Sequence, residues 1–550
     1  MKNTFITRHF ISLTIVFLLF VTTALQAVTS SYYFYVQFAN KNNSPYSLAN
    51  PSEYLSAKAI ERRNHRAQGI DSTDLPVNPS YLQQIENLGV HVHSRSKWMN
   101  GATVLLTDSS KMNLVQTLPF VKRVQYTGKI DVAAPVSIRR TKNNIEATEY
   151  GSATTQINQI NGKYLHNLGF RGKDIIIGVI DAGFNNVNIN PAFDSLRLQG
   201  RLLGTKDIIN PASNIYAEDT HGANVLSTMT GNLPNLFLGT APDASYWLIR
   251  TEYAPTEFVV ETDFWCAGIE FADSVGVDVV NSSLGYTQFD DVSMNFTYAD
   301  MNGTVSRASR AAELAAKKGI IIVNSAGNEG NKTWHYIGSP ADAKGIVCVG
   351  GVTNTGTSSV FSSFGPSSDN RVKPEICSMG TSSAIVNPTG AVSFGSGTSY
   401  ASPIMAGMMA CFLQAAKTYY PPCNLDTLLK AVFESASIYN SPTAQLGYGI
   451  PDFQLALANL PFVNALRITE TKDVVIGYNS YDKTIHIRWM DGQNTSKKKV
   501  SAYSITGSLQ ISENIDELET VLKVNHLISG MYIVSISGNG KTTSHKVIIR

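Results

Sequence analysis

The chain is poor in charge, poor in cysteine and without internal repeats. Asp, Glu, Lys and Arg make up only 16% of its 550 residues, below the quarter or so of an ordinary soluble domain. Basic and acidic residues number 44 and 42, a formal net charge of +2. So even a balance makes no strong field, and neither nucleic acid nor a membrane surface is indicated as a partner. The five cysteines, Cys266, Cys348, Cys377, Cys411 and Cys423, are odd in number and widely spaced, and no Cys-x-x-Cys occurs. Zinc ligation is therefore not expected. Cys348 and Cys411 lie in apolar runs and read as buried thiols. Spacing leaves open whether Cys377 and Cys423 pair. No apolar run beyond the first residues has the roughly 20 residues a membrane span needs. The run from Phe10 to Val21 is shorter, comes after Lys2 and Arg8, and leads into Leu25-Gln26-Ala27. That pattern is a secretory signal, residues 1–27, and the remainder is expected to be secreted or held at the cell surface.

Texture divides the rest of the chain. Residues 32–128 read as a small α/β module, with strand-like Tyr32-Tyr33-Phe34-Tyr35-Val36, a basic helical stretch from Ser56 to Arg66, and a second strand at Ala102–Leu106. Residues 129–152 are polar and aperiodic, a linker suited to processing. From 155 to 459 strands and helices alternate. Ile175–Ile180 is a continuous apolar run, as in a strand buried on both faces, and Trp247–Ile249, Val277–Val280, Ile320–Val323 and Ile346–Val349 are similar. Between them, Val260, Phe264, Ala267 and Phe271 share a helical face, and Ser306–Lys318 is an alanine-rich helix with a glycine stop. Repeated β-α-β units imply a parallel sheet between helical layers, a three-layer α/β/α fold with its ligands beyond the carboxyl ends of the strands. Residues 465–550 form an all-β module: Thr484–Trp489 and Tyr532–Ile536 alternate, and Gly538-Asn539-Gly540 turns the chain so that Lys546–Arg550 pairs back.

The richest stretch is Ser393-Phe394-Gly395-Ser396-Gly397-Thr398-Ser399-Tyr400-Ala401-Ser402-Pro403, which runs into the apolar Ile404–Leu413. A glycine turn feeding a buried helix puts Ser399 at the helix N-terminus, among N–H donors that favour negative charge. Taken alone it is a capping serine. Three other segments change its meaning. Gly178-Val179-Ile180-Asp181-Ala182-Gly183 sets a carboxylate at the end of a buried strand. Asp219-Thr220-His221-Gly222-Ala223-Asn224-Val225 sets a histidine at the start of a small-residue helix. Asn324-Ser325-Ala326-Gly327-Asn328-Glu329-Gly330 sets an asparagine among glycines.

In the order Asp181, His221, Asn328, Ser399, these segments resemble the subtilisin-like serine proteases, the subtilases. The resemblance implies that Ser399 is the nucleophile, His221 the general acid/base, Asp181 the carboxylate that orients it, and Asn328 a side-chain donor to the oxyanion. It also implies a substrate groove. Ser283, Leu284 and Gly285 resemble the strand that pairs with an extended substrate, a mode that reads backbone and suits broad specificity. Ser325, Ala326 and Gly327 resemble one wall of the primary pocket and Gly338 its floor, with Trp334 and His335 in the loop between. Two positions depart from the pattern: Ala182 stands where a hydroxyl residue is usual, and Asn224 replaces a second, non-catalytic histidine. No cofactor is implied. Calcium is frequent in the family, but no ligand loop is readable here and no metal residue is assigned.

The flanks resemble known parts as well. Residues 32–128 are similar to the propeptides of secreted gram-negative subtilases, which makes this module an intramolecular folding aid and inhibitor. Residues 465–550 are similar to the sorting module of the type IX secretion system, whose machinery is then a partner, although the usual opening Pro-Asn-Pro is missing. The expected reaction is hydrolysis of protein or peptide substrates through an acyl-enzyme. Two other functions stay open: a surface adhesin on a catalytically weak subtilase fold, and a peptide ligase or transferase.

Overall fold

The computed structural model describes residues 31–66, 69–130, 149–419, 424–460, 474–479, 483–489, 498–515, 519–528, 530–538 and 541–549. The signal stretch 1–27, most of the linker 129–152, Cys423 and the turn at Asn539-Gly540 lie outside them. No helix among the described residues is long and apolar enough to cross a membrane.

A seven-stranded parallel sheet forms the centre. From edge to edge it runs Ile376–Met379, Val347–Val352, Ile321–Ser325, Val279–Ser282, Ile176–Asp181, Ser245–Arg250, Leu202–Asp207. Every residue of Ile176–Asp181, Val279–Ser282, Ile321–Ser325 and Val347–Val352 is buried, as the continuous apolar runs require. The two edge strands, Leu202–Asp207 and Ile376–Met379, are additions to the reading from sequence. Helices His221–Thr230 and Thr398–Tyr419 pack together, as do Val260–Val275 and Arg307–Lys317. Chain order breaks on either side of Ile176–Asp181, so the crevice expected at such a switch opens beyond its carboxyl end.

The N-terminal module is a four-stranded antiparallel sheet, ordered His91–Ser96, Gly101–Leu106, Ser31–Phe38, Val121–Ile130, with helices at Ala57–Arg66 and Pro79–Asn87. Its last strand continues to Ile130, past the boundary expected at Gly128. Val36 and Phe38 enter the module's own core with Val104 and Ile85. Tyr33 and Tyr35 belong to the main core, where the Tyr33 ring meets Phe264 edge-on at 5.5 Å. This explains why Val260–Val275 shows more than one apolar face: Trp265, Cys266 and Ile269 are as buried as Val260 and Phe264. The end of the linker is also packed, with Tyr150 and Ala153 in a cluster with Ile157 and Phe237.

The C-terminal module is two antiparallel sheets of three and four strands. Thr484–Trp489 lies at the centre of the first. In the second, Lys541–Ile549 pairs back on Gly530–Gly538. Cys266, Cys348, Cys377 and Cys411 are free and buried.

Candidate active site

Asp181 ends its strand fully buried. Its Oδ1 accepts the Ala182 N–H at 2.8 Å and the His221 Nδ1–H at 2.7 Å. Two glycines make that approach feasible. A Cβ on Gly222 would lie 2.3 Å from the Gly183 carbonyl oxygen, and one on Gly183 would lie 2.3 Å from the Asp219 nitrogen. Asp219 Oδ1 accepts the His221 N–H at 2.7 Å and so fixes the helix start. Burial alone would lower the histidine's pKa, but the Asp181 charge and hydrogen bond push it up to about 9. Asp181 Oδ2 finds no hydrogen-bond donor among the described residues, in keeping with the missing hydroxyl at Ala182.

Ser399 is the second residue of Thr398–Tyr419 and is 9% exposed. The helix carries Pro403, which has no N–H for the carbonyl four residues before it. That carbonyl belongs to Ser399, and Ser283 Oγ donates to it at 2.9 Å instead. The Ser399 hydroxyl donates to the Ser283 carbonyl at 3.4 Å. One residue earlier, the Thr398 N–H donates to Asn328 Oδ1 at 2.9 Å and the Thr398 hydroxyl donates at 3.1 Å. An N–H can only donate, so the carboxamide oxygen must face Thr398. The Asn328 amide nitrogen is thereby left free to donate elsewhere.

Of the residues expected to line a substrate groove, Ser283 bonds Ser399 itself and Gly327 bonds the residue before it. Ser283, Leu284 and Gly285 continue from the strand Val279–Ser282. Ser325 ends the neighbouring strand, and Ala326 is buried beyond it. The Gly327 N–H donates to Thr398 Oγ1 at 3.2 Å, with Gly327 at a φ of +106° that favours glycine. Gly338 sits against Tyr286 and Thr287, where Tyr286 and Ser339 exchange backbone hydrogen bonds of 2.7 and 3.1 Å. Trp334 and His335 fold back on their own loop: Trp334 Nε1 donates to the Ile337 carbonyl, and the His335 ring stacks on Phe364 at 4.1 Å.

Two features escaped the sequence reading. The Tyr400 ring lies 6.2 Å from that of His221, with the Asn224 side chain beside its hydroxyl. Asn224, standing in place of a histidine, thus neighbours the residue after the serine. The second is an acidic knot behind the groove. Glu252, Glu257 and Glu261 bring carboxylate oxygens within 4.8 Å of one another. Glu252 accepts the Tyr286 hydroxyl at 3.1 Å, and Glu261 accepts the N–H groups of Tyr253 and Phe258 at 2.9 Å each. Burial first, and then the neighbouring carboxylates, push Glu257 up to about 9 and Glu261 well above the carboxylate range. The same proximity is that of a group that could hold a cation, and no ion is assigned to it. A Thr-Glu-Tyr after a buried strand, with two more glutamates in an apolar stretch, was its only signal.

A parallel α/β sheet that brings an aspartate onto a histidine near a helix-borne serine is the architecture of a serine hydrolase. Comparison with known proteins narrows the class. Residues 172–449 match the subtilase family, residues 33–149 the peptidase S8 propeptide domain of Bacteroidota, and residues 479–550 the secretion system C-terminal sorting domain. Subtilisin NAT of Bacillus subtilis subsp. natto and subtilisin E of Bacillus subtilis strain 168 are each 25% identical over 378 residues, 68% of this chain and 84% of theirs. A thermostable alkaline protease of Halalkalibacterium halodurans is 26% identical over 316 residues, 56% of this chain and 74% of its own. The chain belongs to the subtilase family. It is a serine peptidase, secreted or at the cell surface, with an N-terminal prodomain and a C-terminal sorting domain.

Proposed function

We propose that the chain is the precursor of an endopeptidase that cleaves peptide bonds through an acyl-enzyme on Ser399. The observation that carries this reading is the 2.7 Å bond from His221 Nδ1 to the buried Asp181. With its proton committed to Nδ1, the neutral imidazole leaves Nε2 as the acceptor. His221 takes the Ser399 proton as Oγ attacks the carbonyl, and returns it to the leaving amine. The oxyanion falls at the helix N-terminus, beside the Ser399 N–H and the Asn328 amide. Ser283–Gly285 pairs with the substrate backbone, and Ser325–Gly327 with Gly338 shapes the primary pocket. Residues 155–459 are then the catalytic unit. The prodomain covers Val260–Val275 and inhibits until the chain is cut within 129–152. Calcium has no assigned place, and transfer to an amine instead of water shares every step to the acyl-enzyme.

Protein recovered from culture medium should react stoichiometrically with a fluorophosphonate at Ser399, and an added 31–130 fragment should slow both the labelling and peptide cleavage. Labelling elsewhere, or no protection, would retire this reading. The oxyanion role has its own signature. Asn328→Leu should lower kcat by about 100- to 1000-fold, the scale known for the corresponding donor of subtilisin, a relative. KM should barely move, because the amide matters only as charge develops. A raised KM with kcat intact would make Asn328 a groove residue.

A further inference from the structure

The charges of a basic helix ordinarily face solvent, yet in Ala57–Arg66 Arg62 is 3% exposed and Arg63 and Arg66 are also buried. Arg62 enters the ends of two protease-domain helices. Its Nε donates to the carbonyl of Lys318, the residue that caps Arg307–Lys317, at 3.1 Å. Nη1 donates to the Val277 carbonyl, just past Val260–Val275. Nη2 donates to the Asp273 carbonyl at 3.1 Å and to Asp273 Oδ1 at 2.6 Å. Lys318 caps one helix and Asp273 lies in the last turn of the other, so both carbonyls sit at the negative end of a dipole, Asp273 also accepting the Gly276 N–H at 3.2 Å. Around them, Arg63 and Lys97 reach Asp273 at 2.9 Å, and Arg66 pairs with Asp278. Burial alone would raise the Asp273 carboxyl, but Lys97, Arg62 and Arg63 hold it well below the carboxylate range. At Gly276 the backbone is close enough to the helix that a Cβ would lie 2.6 Å from Lys58 Cβ.

Location sets this contact apart from the chemistry. Val277 and Lys318 lead into the amino ends of Val279–Ser282 and Ile321–Ser325, whereas Asp181 and the groove lie at carboxyl ends. We propose that the protease domain carries, at the end of the sheet opposite the catalytic groove, a binding site for a guanidinium group. Arg62 fills it in the precursor, and it is what holds the prodomain on the enzyme. The ligand class is set by the acceptors. Three carbonyls and a carboxylate spread over two helix ends match the planar fork of an arginine. A lysine offers its donors from a single point and spans fewer of them. Burial pushes Arg62 down to about 10, so it is charged at neutral pH.

The inference rests on residues 33–149 being a prodomain, and its test therefore reads attachment and not inhibition. The full chain carrying Ser399→Ala and an inserted protease site within 131–148 is nicked, and departure of the 31–130 piece is followed by anisotropy of a dye on it. Arg62→Ala should speed departure about 100-fold, the scale for removing one partner of a buried, hydrogen-bonded charge pair. Arg62→Lys should recover little of that. Ethylguanidinium should slow the Arg62→Ala departure again, and ethylammonium at equal ionic strength should not. Departure within about threefold of the unsubstituted chain, or equal effects of the two salts, overturns the site. Should Arg62→Ala fail to fold, the same salts go into its refolding buffer, where recovery specific to guanidinium supports the site and equal or absent recovery refutes it. A prodomain that leaves normally yet still inhibits would sink the socket and spare the inhibitor role. One that is held through Arg62 but does not inhibit would do the reverse.

Discussion

Ser399→Ala is expected to lower kcat on a peptide substrate by about a millionfold, the loss seen when the serine of a subtilisin triad is removed. That is roughly 8 kcal/mol of barrier. KM should stay within a few-fold, since the groove as proposed is built from Ser283–Gly285 and Ser325–Gly327, and alanine leaves their backbone in place. Adding His221→Ala to the serine variant should cost almost nothing more, because the imidazole has no proton to take once the hydroxyl is gone. The residual rate belongs to the Asn328 amide and the helix N-terminus, which still receive the developing charge. Steady-state kinetics on prodomain-free enzyme decides the matter. A loss of less than a hundredfold would mean that Ser399 only caps its helix.

Asp181→Asn should bring the next largest loss, about ten-thousandfold in kcat, and should also move the pH profile. An amide donor facing Nδ1 selects the tautomer whose proton sits on Nε2, where the base is needed. The pH effect comes from the two opposed influences on His221. The general base works when neutral, so the rising limb of kcat/KM tracks its pKa. In the wild-type chain Asp181 pushes that value up to about 9 against burial, and the limb should lie on the alkaline side of the ordinary 6.5. Without that charge the largest opposition to burial is gone, Asp219 and Glu252 still raising the value, and the limb should move down toward the ordinary 6.5. A limb that stays put would show that Asp181 does not set the charge state of His221. The same shift links to stability in the opposite sense. His221 contributes fully below pH 6.5, and that contribution is lost as pH rises through about 9.

The interior of the protease domain was legible because burial on both faces leaves a continuous mark. Ile176–Asp181 and Ile321–Ser325 are such runs. The edge strands were not. Leu202–Asp207 alternates intermediate and exposed positions up to its last residue, and Ile376–Met379 has only four residues. The motif residues were legible by their spacing and order, but their relations were not. That Ser283 answers the carbonyl orphaned by Pro403, or that Tyr400 lies beside His221, depends on segments far apart in the chain. The depth of the Ala57–Arg66 helix was hidden for the same reason. Its arginines are buried because Asp273, Asp278 and two helix ends, more than 200 residues away, receive them. Local periodicity carries no trace of a partner at that distance.

The buried thiols have a use of their own. A shielded sulfur meets a reagent only when its surroundings open, and these four stand in three parts of the domain. Cys266 is on the helix beneath the prodomain, and Cys411 is within Thr398–Tyr419, its Sγ 3.2 Å from the Thr240 carbonyl. Cys348 and Cys377 are on neighbouring strands at one edge of the sheet, the latter against the carbonyls of Gln445 and Leu446. The chain therefore carries its own sentinels, and the order in which they become reactive records where the molecule first comes apart.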